Sequence, residues 1–410
     1  MKKILLLPLV LMSCLLQAQT MDYQQFMQRV ARDNAQLLAE QYNVEIAAAN
    51  LLAARVFNDP ELSLAYTDNQ DMVMQMGTTL SAGMSYGFSL GGVRKARIGV
   101  AATEQELSVA VLADYFRKLR EQAMVAWGEA WEARERERLE HLAYETMERV
   151  SVADVGRLER GEIRPTDARE SALEALAQKG DWLEAHADYL NALAELSLLA
   201  GGYPISELDG EDLPFLEIPY TAAEAIDVAE RSRADLKAAE LSHTLSQKNL
   251  ALVKATRAME MEVELDYDHF KEVRNEIAPA PSFSAITLGV TIPLKFSSMN
   301  RGELAAAQAS VKQAEHYLQA AREVVRTEVM QAWNVWEAAC EVASHYSDEV
   351  ITNARSIMES LEAAYLRGEA SLLELRTAVL TYNDVALDAA DSQSDKLTAT
   401  AHLWASLGID

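Results

Sequence analysis

From Glu303 to Arg367 the chain runs 65 residues without a glycine or a proline, and Glu369 to Leu407 is equally free of both. These residues interrupt helices most sharply, costing about 1 and about 3 kcal/mol against Ala in a helix interior. With only 9 Pro and 17 Gly in 410 residues, this chain is fitted for helices far longer than one globular core needs. Read as a single helix, 303–367 makes a rod of roughly 100 Å. Its apolar seam is Leu304, Ala307, Val311, Ala314, Leu318, Ala321 and Val325, then skips to Val329, Ala332, Trp336 and Ala339. That four-residue stutter locally unwinds a left-handed supercoil, and the alanines allow close approach of a neighbouring helix.

The chain also repeats itself. "GRLERGEIRPTDAR" (156–169) matches "AAYLRGEASLLELR" (363–376), pairing Gly161 with Gly368 at an offset of 207. "MVAW" (124–127) matches "MQAW" (330–333) at 206, and "LSLLAG" (196–201) matches "LWASLG" (403–408) at 207. A looser pair is "LGGVRKARIGVAA" (90–102) with "FSSMNRGELAAAQ" (296–308). Matches in the same order at nearly constant offset mark a duplication. The expected domains are repeat 1 over 19–201, a linker over 202–220 and repeat 2 over 221–410. Each repeat reads as a helix, a β-hairpin, a very long helix, a turn and another helix.

The hairpins are predicted at about 61–90 and 261–294. "ELSLAYTD" (61–68), "TLSAGMSYGFSL" (79–90), "MEVELDYDHF" (261–270) and "SAITLGVTIPL" (284–294) alternate with period two, the signature of strands. Their lengths approach the roughly 9–11 residues that cross a bilayer as tilted strands. Tyr66, Tyr86, Phe88 and Tyr267 could then form an interfacial aromatic girdle. Water-soluble hairpins capping a helical bundle would alternate in the same way. Four strands cannot close a barrel, and an open edge in lipid leaves backbone groups unsatisfied, so spanning strands force several chains to share one barrel.

The N-terminus, "MKKILLLPLVLMSCLLQAQT", has a basic start, an apolar block and a small-residue end, so residues 1–18 are expected to be a secretory signal. Cys14 after "LMS" is an alternative lipidation site. After cleavage Cys340 would be the sole cysteine and could form no internal disulfide. The formal charge of −26 argues against nucleic acid as a partner. No later stretch has the roughly 18 consecutive apolar residues of a transmembrane helix.

Several stretches carry a family resemblance: "AYLRGEASLLELRTAVLTYNDVALDAADSQSDKLTATAHLWASLG" (364–408), "VTIPLKFSSMNRGELAAAQASVKQAE" (290–315), "NDPELSLAY" (58–66) and "SLGGVRKARIGVAA" (89–102). Together they resemble the TolC-type outer-membrane efflux factors. The resemblance implies a mainly α fold with a β-barrel part: long helical hairpins forming a periplasmic α-barrel, plus four membrane strands per chain in a homotrimer. It implies a non-enzymatic exit duct in the outer membrane, extending into the periplasm. The implied partners are outer-membrane lipid, a periplasmic adaptor and an inner-membrane pump, with no cofactor. A type I protein secretion duct shares this pattern, as would, for the helices alone, a periplasmic coiled-coil scaffold without a pore. "NDPELSLAY" and "SLGGVRKAR" lean toward the heavy-metal cation branch; drug efflux is the other reading. One departure is Ser89-Leu90-Gly91-Gly92, where family members often carry proline, as at Pro293; the glycine pair can make the same tight exit.

The candidate functional residues follow the duplication. Arg160, Gly161, Glu162, Arg367, Gly368 and Glu369 are expected at two turns forming the adaptor-docking tip; a plain chain reversal would use the same residues. Asp167 and Glu374 lie six residues past each glycine, and the resemblance implies a constricted tip there, so they are candidates for an acidic pore constriction; each could equally sit on a solvated helix face. Met72, Met74 and Met76 alternate as soft Cu(I) ligands would, or as apolar strand residues. The seven histidines show no ligand spacing, and neither H-E-x-x-H nor a phosphate-loop motif occurs. Trp127 and Trp333 match between repeats and read as helix packing.

Overall fold

A computed structural model describes residues 20–69, 75–210, 213–214, 217–258, 260–294 and 301–409. The expected signal segment with Cys14, and Met72 and Met74, lie outside the described residues. The elements run β1 (Thr20–Met21), α1 (Tyr23–Asp33), α2 (Ala35–Arg55), β2 (Glu61–Asp68), β3 (Thr78–Ser89), α3 (Val93–Glu159) and α4 (Pro165–Leu199). They continue with β4 (Glu207–Leu208), α5 (Ala222–Ser232), α6 (Ala234–Thr256), β5 (Glu260–Phe270), β6 (Phe283–Thr291), α7 (Arg301–His345), α8 (Asp348–Leu366) and α9 (Leu372–Leu407). In chain order, two helices, two strands and then long helices recur in each half. The segment expected as a linker adds β4, which pairs in parallel with β1 through Thr20↔Glu207 and Met21↔Leu208.

The expected unbroken rod over 303–367 is corrected. α3 is continuous for 67 residues, but its counterpart stops at His345 and restarts at Asp348. Ser347 is extended (φ −72°, ψ 155°), and Asp348 and Glu349 occupy the first turn of α8. Ser and Asp favour a helix start over a helix interior, and acids there complement the helix dipole, so "YSDE" breaks a helix without Gly or Pro. The predicted last strand is also shortened. β6 ends at Thr291, before Pro293, which has no N–H to give a ladder.

The chain divides into two compact units. One gathers the chain up to Ala39, Tyr115–Arg233 and everything from Val325 onward. Its core includes Leu139, Ala143, Met147 and Val150 of α3, with Tyr365, Leu375, Val379 and Tyr382. Trp127 is buried as expected, with its ring 5.4 Å from Phe26 and 5.6 Å from Tyr23. Trp333 is only half-buried and packs on Trp336 at 5.2 Å.

The duplicated "LLAG" and "ASLG" endings have a shared physical cause in this unit. The first helix of each repeat is broken, at Asn34 and at Arg233, and both residues are buried. Asn34 caps α2 by accepting from the Gln36 and Leu37 amides, and it donates to the Leu199 carbonyl at 3.1 Å. Arg233 reaches Glu328 at 2.7 Å. Gly201 (φ +74°) lies against the Asp33 carbonyl, and Gly408 (φ +67°) lies against the Arg233 backbone. The repeat-ending glycine lets the last helix close on the break in the first.

The second unit comprises Glu40–Asp114 and Ala234–Val324. It holds a four-stranded antiparallel sheet of order β2-β3-β5-β6. On its part of α7 the expected seam residues Leu304, Ala307, Val311, Ala314, Leu318 and Ala321 are the less exposed stripe. Gly91 and Gly92, both with positive φ, make the exit from β3.

Candidate functional site: two hairpin turns and a two-faced sheet

The two turns are the same structure built twice. Gly161 (φ +74°) and Gly368 (φ +79°) each end a helix in the left-handed conformation. The Gly161 amide donates to Leu158 and the Glu162 amide to Arg157; the Gly368 amide donates to Tyr365 and the Glu369 amide to Ala364. This paired closure satisfies the last helical carbonyls and needs a residue that tolerates positive φ. Across each glycine an arginine bridges to a glutamate at 2.7 Å: Arg160 to Glu162, and Arg367 to Glu369. Hydrogen bonding to Arg160 holds the Glu162 carboxyl below its ordinary value. All four charged side chains are exposed, and the turns adjoin, since Gly368 faces the Arg157 guanidinium.

Asp167 and Glu374 occupy matched places, the third residue of α4 and of α9. Glu374 accepts from the Ser371 amide at 2.7 Å and the Ser371 hydroxyl at 2.8 Å, and its own amide donates to Ser371 Oγ. Asp167 accepts from the Arg164 amide at 3.2 Å and its guanidinium at 2.9 Å. Both carboxyls are held below their ordinary values, Asp167 chiefly by the Arg164 side chain and Glu374 chiefly by the Ser371 amide. Both acids therefore have a local task at a helix start: Glu374 in a reciprocal cap with Ser371, and Asp167 by accepting from the Arg164 amide and side chain. The signal was present in "SLLE" as a Ser-x-x-Glu capping box. Asp167 is charge-compensated by Arg164, whereas the partners of Glu374 here are the amide and hydroxyl of Ser371.

A buried contact near the turns had no sequence signal. Tyr365 donates its hydroxyl to Asp154 Oδ2 at 2.6 Å, and Arg157 reaches Asp154 Oδ1 at 3.2 Å. Asp154 is fully buried. Burial, then the Asp154 bond, pushes the Tyr365 phenol well above its usual value. Arg149 adds a 2.9 Å bridge to Glu362. The Tyr365–Asp154 and Arg149–Glu362 bonds tie the end of α3 to the end of α8. No single helix pattern could foretell them, because the residues are about two hundred positions apart.

The sheet has one apolar and one acidic face. Register puts Leu62, Leu64 and Tyr66 on the same side as Leu80, Met84, Tyr86 and Phe88, then Val263, Leu265 and Tyr267, then Ile286, Leu288 and Val290. Most of these are exposed, Leu64 by 73% and Ile286 by 75%. Tyr66 and Tyr267 lie near the loop end of this face, and Tyr86 and Phe88 near the opposite end, giving two aromatic bands. On the other face every residue of β5 from Glu260 to Asp268 is acidic: Glu260, Glu262, Glu264, Asp266 and Asp268. Their cross-strand neighbours include Ser81, Gly83, Ser85, Gly87, Thr287 and Gly289. Ser81 Oγ donates to Asp268 at 2.5 Å. No Lys or Arg occurs in these four strands. Met76 is exposed near the loop and 3.9 Å from the Asn275 amide nitrogen. Among the described residues no group of three His, Cys, Asp or Glu side chains could hold a metal, and no helix is long and apolar enough to cross a membrane.

Residues 225–409 match the family model described as outer membrane efflux protein. The second repeat is thus similar to outer membrane efflux proteins. Solved structures extend the efflux-type fold over both repeats. CusC, a protein studied for the conformational changes accompanying its folding and transmembrane channel formation, is 14% identical with a TM-score of 0.75 and covers 94% of this chain and 92% of its own. The CmeC outer membrane channel of Campylobacter jejuni gives 13% identity and a TM-score of 0.77 over 94% and 85%. The outer membrane protein VceC of Vibrio cholerae gives 15% and 0.73 over 94% and 95%. At these identities the likeness is one of fold. No curated protein matches the sequence. The mainly helical, TolC-like fold expected from the sequence is thus met.

Proposed function

We propose that this chain is the outer-membrane exit duct of a tripartite efflux system, acting as a homotrimer without chemistry of its own. The observation that carries this reading is the two-faced sheet. An exposed apolar face with aromatic bands at both ends suits lipid, and an acidic opposite face suits water. The sheet's outer strands, β2 and β6, leave ladder edges that other copies can pair, so three chains would share one barrel of twelve strands. The paired turns would be the periplasmic tip that meets an adaptor and, through it, an inner-membrane pump. The Glu260–Asp268 column in the barrel, and Glu374 with Asp167 at the tip, would favour cationic cargo and repel anions. This agrees with metal-cation or cationic-drug efflux. A pore-free periplasmic scaffold would leave the apolar face in water, at a cost of order 25 cal/mol per Å² of apolar area.

The test is fractionation followed by planar-bilayer recording of the purified full chain. Recovery with outer membranes and cation-selective conductance steps support the reading. Recovery in the soluble periplasm, with no steps, overturns it. Glu374→Gln then tests the tip: the constriction role requires weaker cation preference, and unchanged selectivity removes it.

A further inference from the structure

Cations are absent from the sheet but gather where it meets the helices. The four strands contain no Lys or Arg, and the whole chain has a formal charge of −26. Yet "VRKAR" opens α3 with Arg94, Lys95 and Arg97. Arg55 ends α2, and Lys254 and Arg257 lie at or just past the end of α6. The fold brings these segments together. Arg94 Nε donates to the Arg55 carbonyl at 3.1 Å, and a Cβ on Gly91 would press on Ala258 and the Ala255 carbonyl. The acids of the same junction are Asp59 and Glu260, so the cations outnumber them.

Helix chemistry does not account for the α3 group. The start of a helix carries partial positive charge, which favours acids and disfavours cations, and the first turn of α3 has no acid. At the hairpin turns Arg160, Arg164 and Arg367 each bridge a carboxylate. Among the described residues no carboxylate bridges Lys95, Arg97, Lys254 or Arg257, and all four are exposed. A cleft of about 280 Å³ joins cations to apolar surface here: Val56, Phe57, Phe88 and Leu90 line it together with Arg94 and Arg97. The Arg94 guanidinium lies 4.0 Å from the centre of the Phe57 ring, which holds both in place. Phe57 is 65% exposed, and Phe88 continues the apolar face of the sheet into the cleft.

The geometry points to this cleft as a binding site for an anionic phospholipid. The headgroup phosphodiester sits against Arg94 and Arg97, and the first carbons of the acyl chains lie along Phe57, Phe88 and Leu90. Lys95, Lys254 and Arg257 raise the positive potential around it, since each cation near an anionic lipid surface adds its own attraction. Free phosphate offers the same anion, but it makes no use of the apolar wall, so the lipid is the better fit. The site rests on the duct reading, which puts this end of the sheet at the periplasmic leaflet. Occupied, it fixes the depth of the strands by gripping the leaflet at the point where strand becomes helix.

The test is native mass spectrometry of the full chain, incubated in detergent with equimolar phosphatidylglycerol and phosphatidylethanolamine. The expected result is preferential retention of phosphatidylglycerol. Lys95→Gln/Arg97→Gln should lower that retention about fivefold per cation removed. Lys271→Gln/Arg274→Gln, in the loop at the opposite end of the sheet, should leave it unchanged. Should the first pair fail to fold, Lys254→Gln/Arg257→Gln is expected to lower retention in the same direction. Equal retention of the two lipids overturns the site, as does a preference that survives the removal of the cations. Displacement of phosphatidylglycerol by inorganic phosphate at equal concentration overturns the lipid assignment in favour of a free anion. Fractionation separates these failures from failure of the duct reading: a chain recovered with outer membranes but indifferent to headgroup charge loses this site alone, whereas a chain recovered in the soluble periplasm loses both.

Discussion

Gly201→Ala and Gly161→Ala together separate two reasons for a glycine. Both residues have φ of +74°, so both alanines carry the left-handed penalty of about 1–2 kcal/mol. Around Gly161 nothing lies within 4 Å of the new Cβ. At Gly201 the new Cβ meets the Asp33 carbonyl carbon at 2.8 Å and the Asp33 Cβ at 3.0 Å, with the carbonyl oxygen closer still. That obstacle is backbone at the α1–α2 break and cannot rotate away. Overpacking of this kind adds about 1–3 kcal/mol. Gly201→Ala should therefore lower the thermal midpoint by roughly two to three times the shift of Gly161→Ala, followed by circular dichroism at 222 nm. Gly408→Ala, whose Cβ meets Arg233 Cα at 2.9 Å, should resemble Gly201→Ala. Equal shifts at 161 and 201 would refute the claim that repeat-ending glycines exist to close on the first helix.

Three further outcomes are expected. Tyr365→Phe leaves buried Asp154 with Arg157 and costs about 2 kcal/mol locally, seen as faster hydrogen exchange in 150–159 and 361–366 while α5 exchange is unchanged. Burial, then neighbouring acids, raises the carboxyls of Glu129 (beside Glu195), Glu132 (beside Asp391) and Glu140 (beside Asp181). Folding thus favours their protonated forms: the contribution is complete below the unfolded value near 4.5 and fades as pH rises through the raised folded values. Glu132→Gln/Glu140→Gln should flatten the rise in melting temperature as pH falls toward 4.5, and an unchanged slope would contradict the assignment. Ser371→Ala removes a hydroxyl that both donates to and accepts from the α9 start, costing about 1 kcal/mol, and should loosen exchange in 372–376.

The features legible in the sequence were those fixed by local chemistry. Gly161 and Gly368 announced their turns because a positive φ demands glycine, and period-two alternation placed all four strands to within a few residues. The acids of "EMEVELDYDH" were equally visible, but their meaning needed register, which puts them opposite Ser, Gly and Thr rather than opposite bases. Asp167 and Glu374 were found through the duplication, and their capping bonds then supplied a structural task the spacing alone did not suggest. The break at Tyr346–Ser347 was missed because breaker counting weighs Gly and Pro, while Ser-Asp acts by preferring the start of a helix. The Asp154–Tyr365 bond lay beyond reach for a different reason: it depends on which helices meet.

The central claim is that the sheet separates lipid from water. Single cysteines across 262–268 of β5, in a chain lacking Cys14 and Cys340 and reconstituted in liposomes, test it most directly. The account predicts that Glu262, Glu264, Asp266 and Asp268 positions react with a membrane-impermeant thiol reagent. At Val263, Leu265 and Tyr267, attached fluorophores should instead be quenched by lipid-borne quenchers. Equal aqueous labelling at both sets of positions would contradict it.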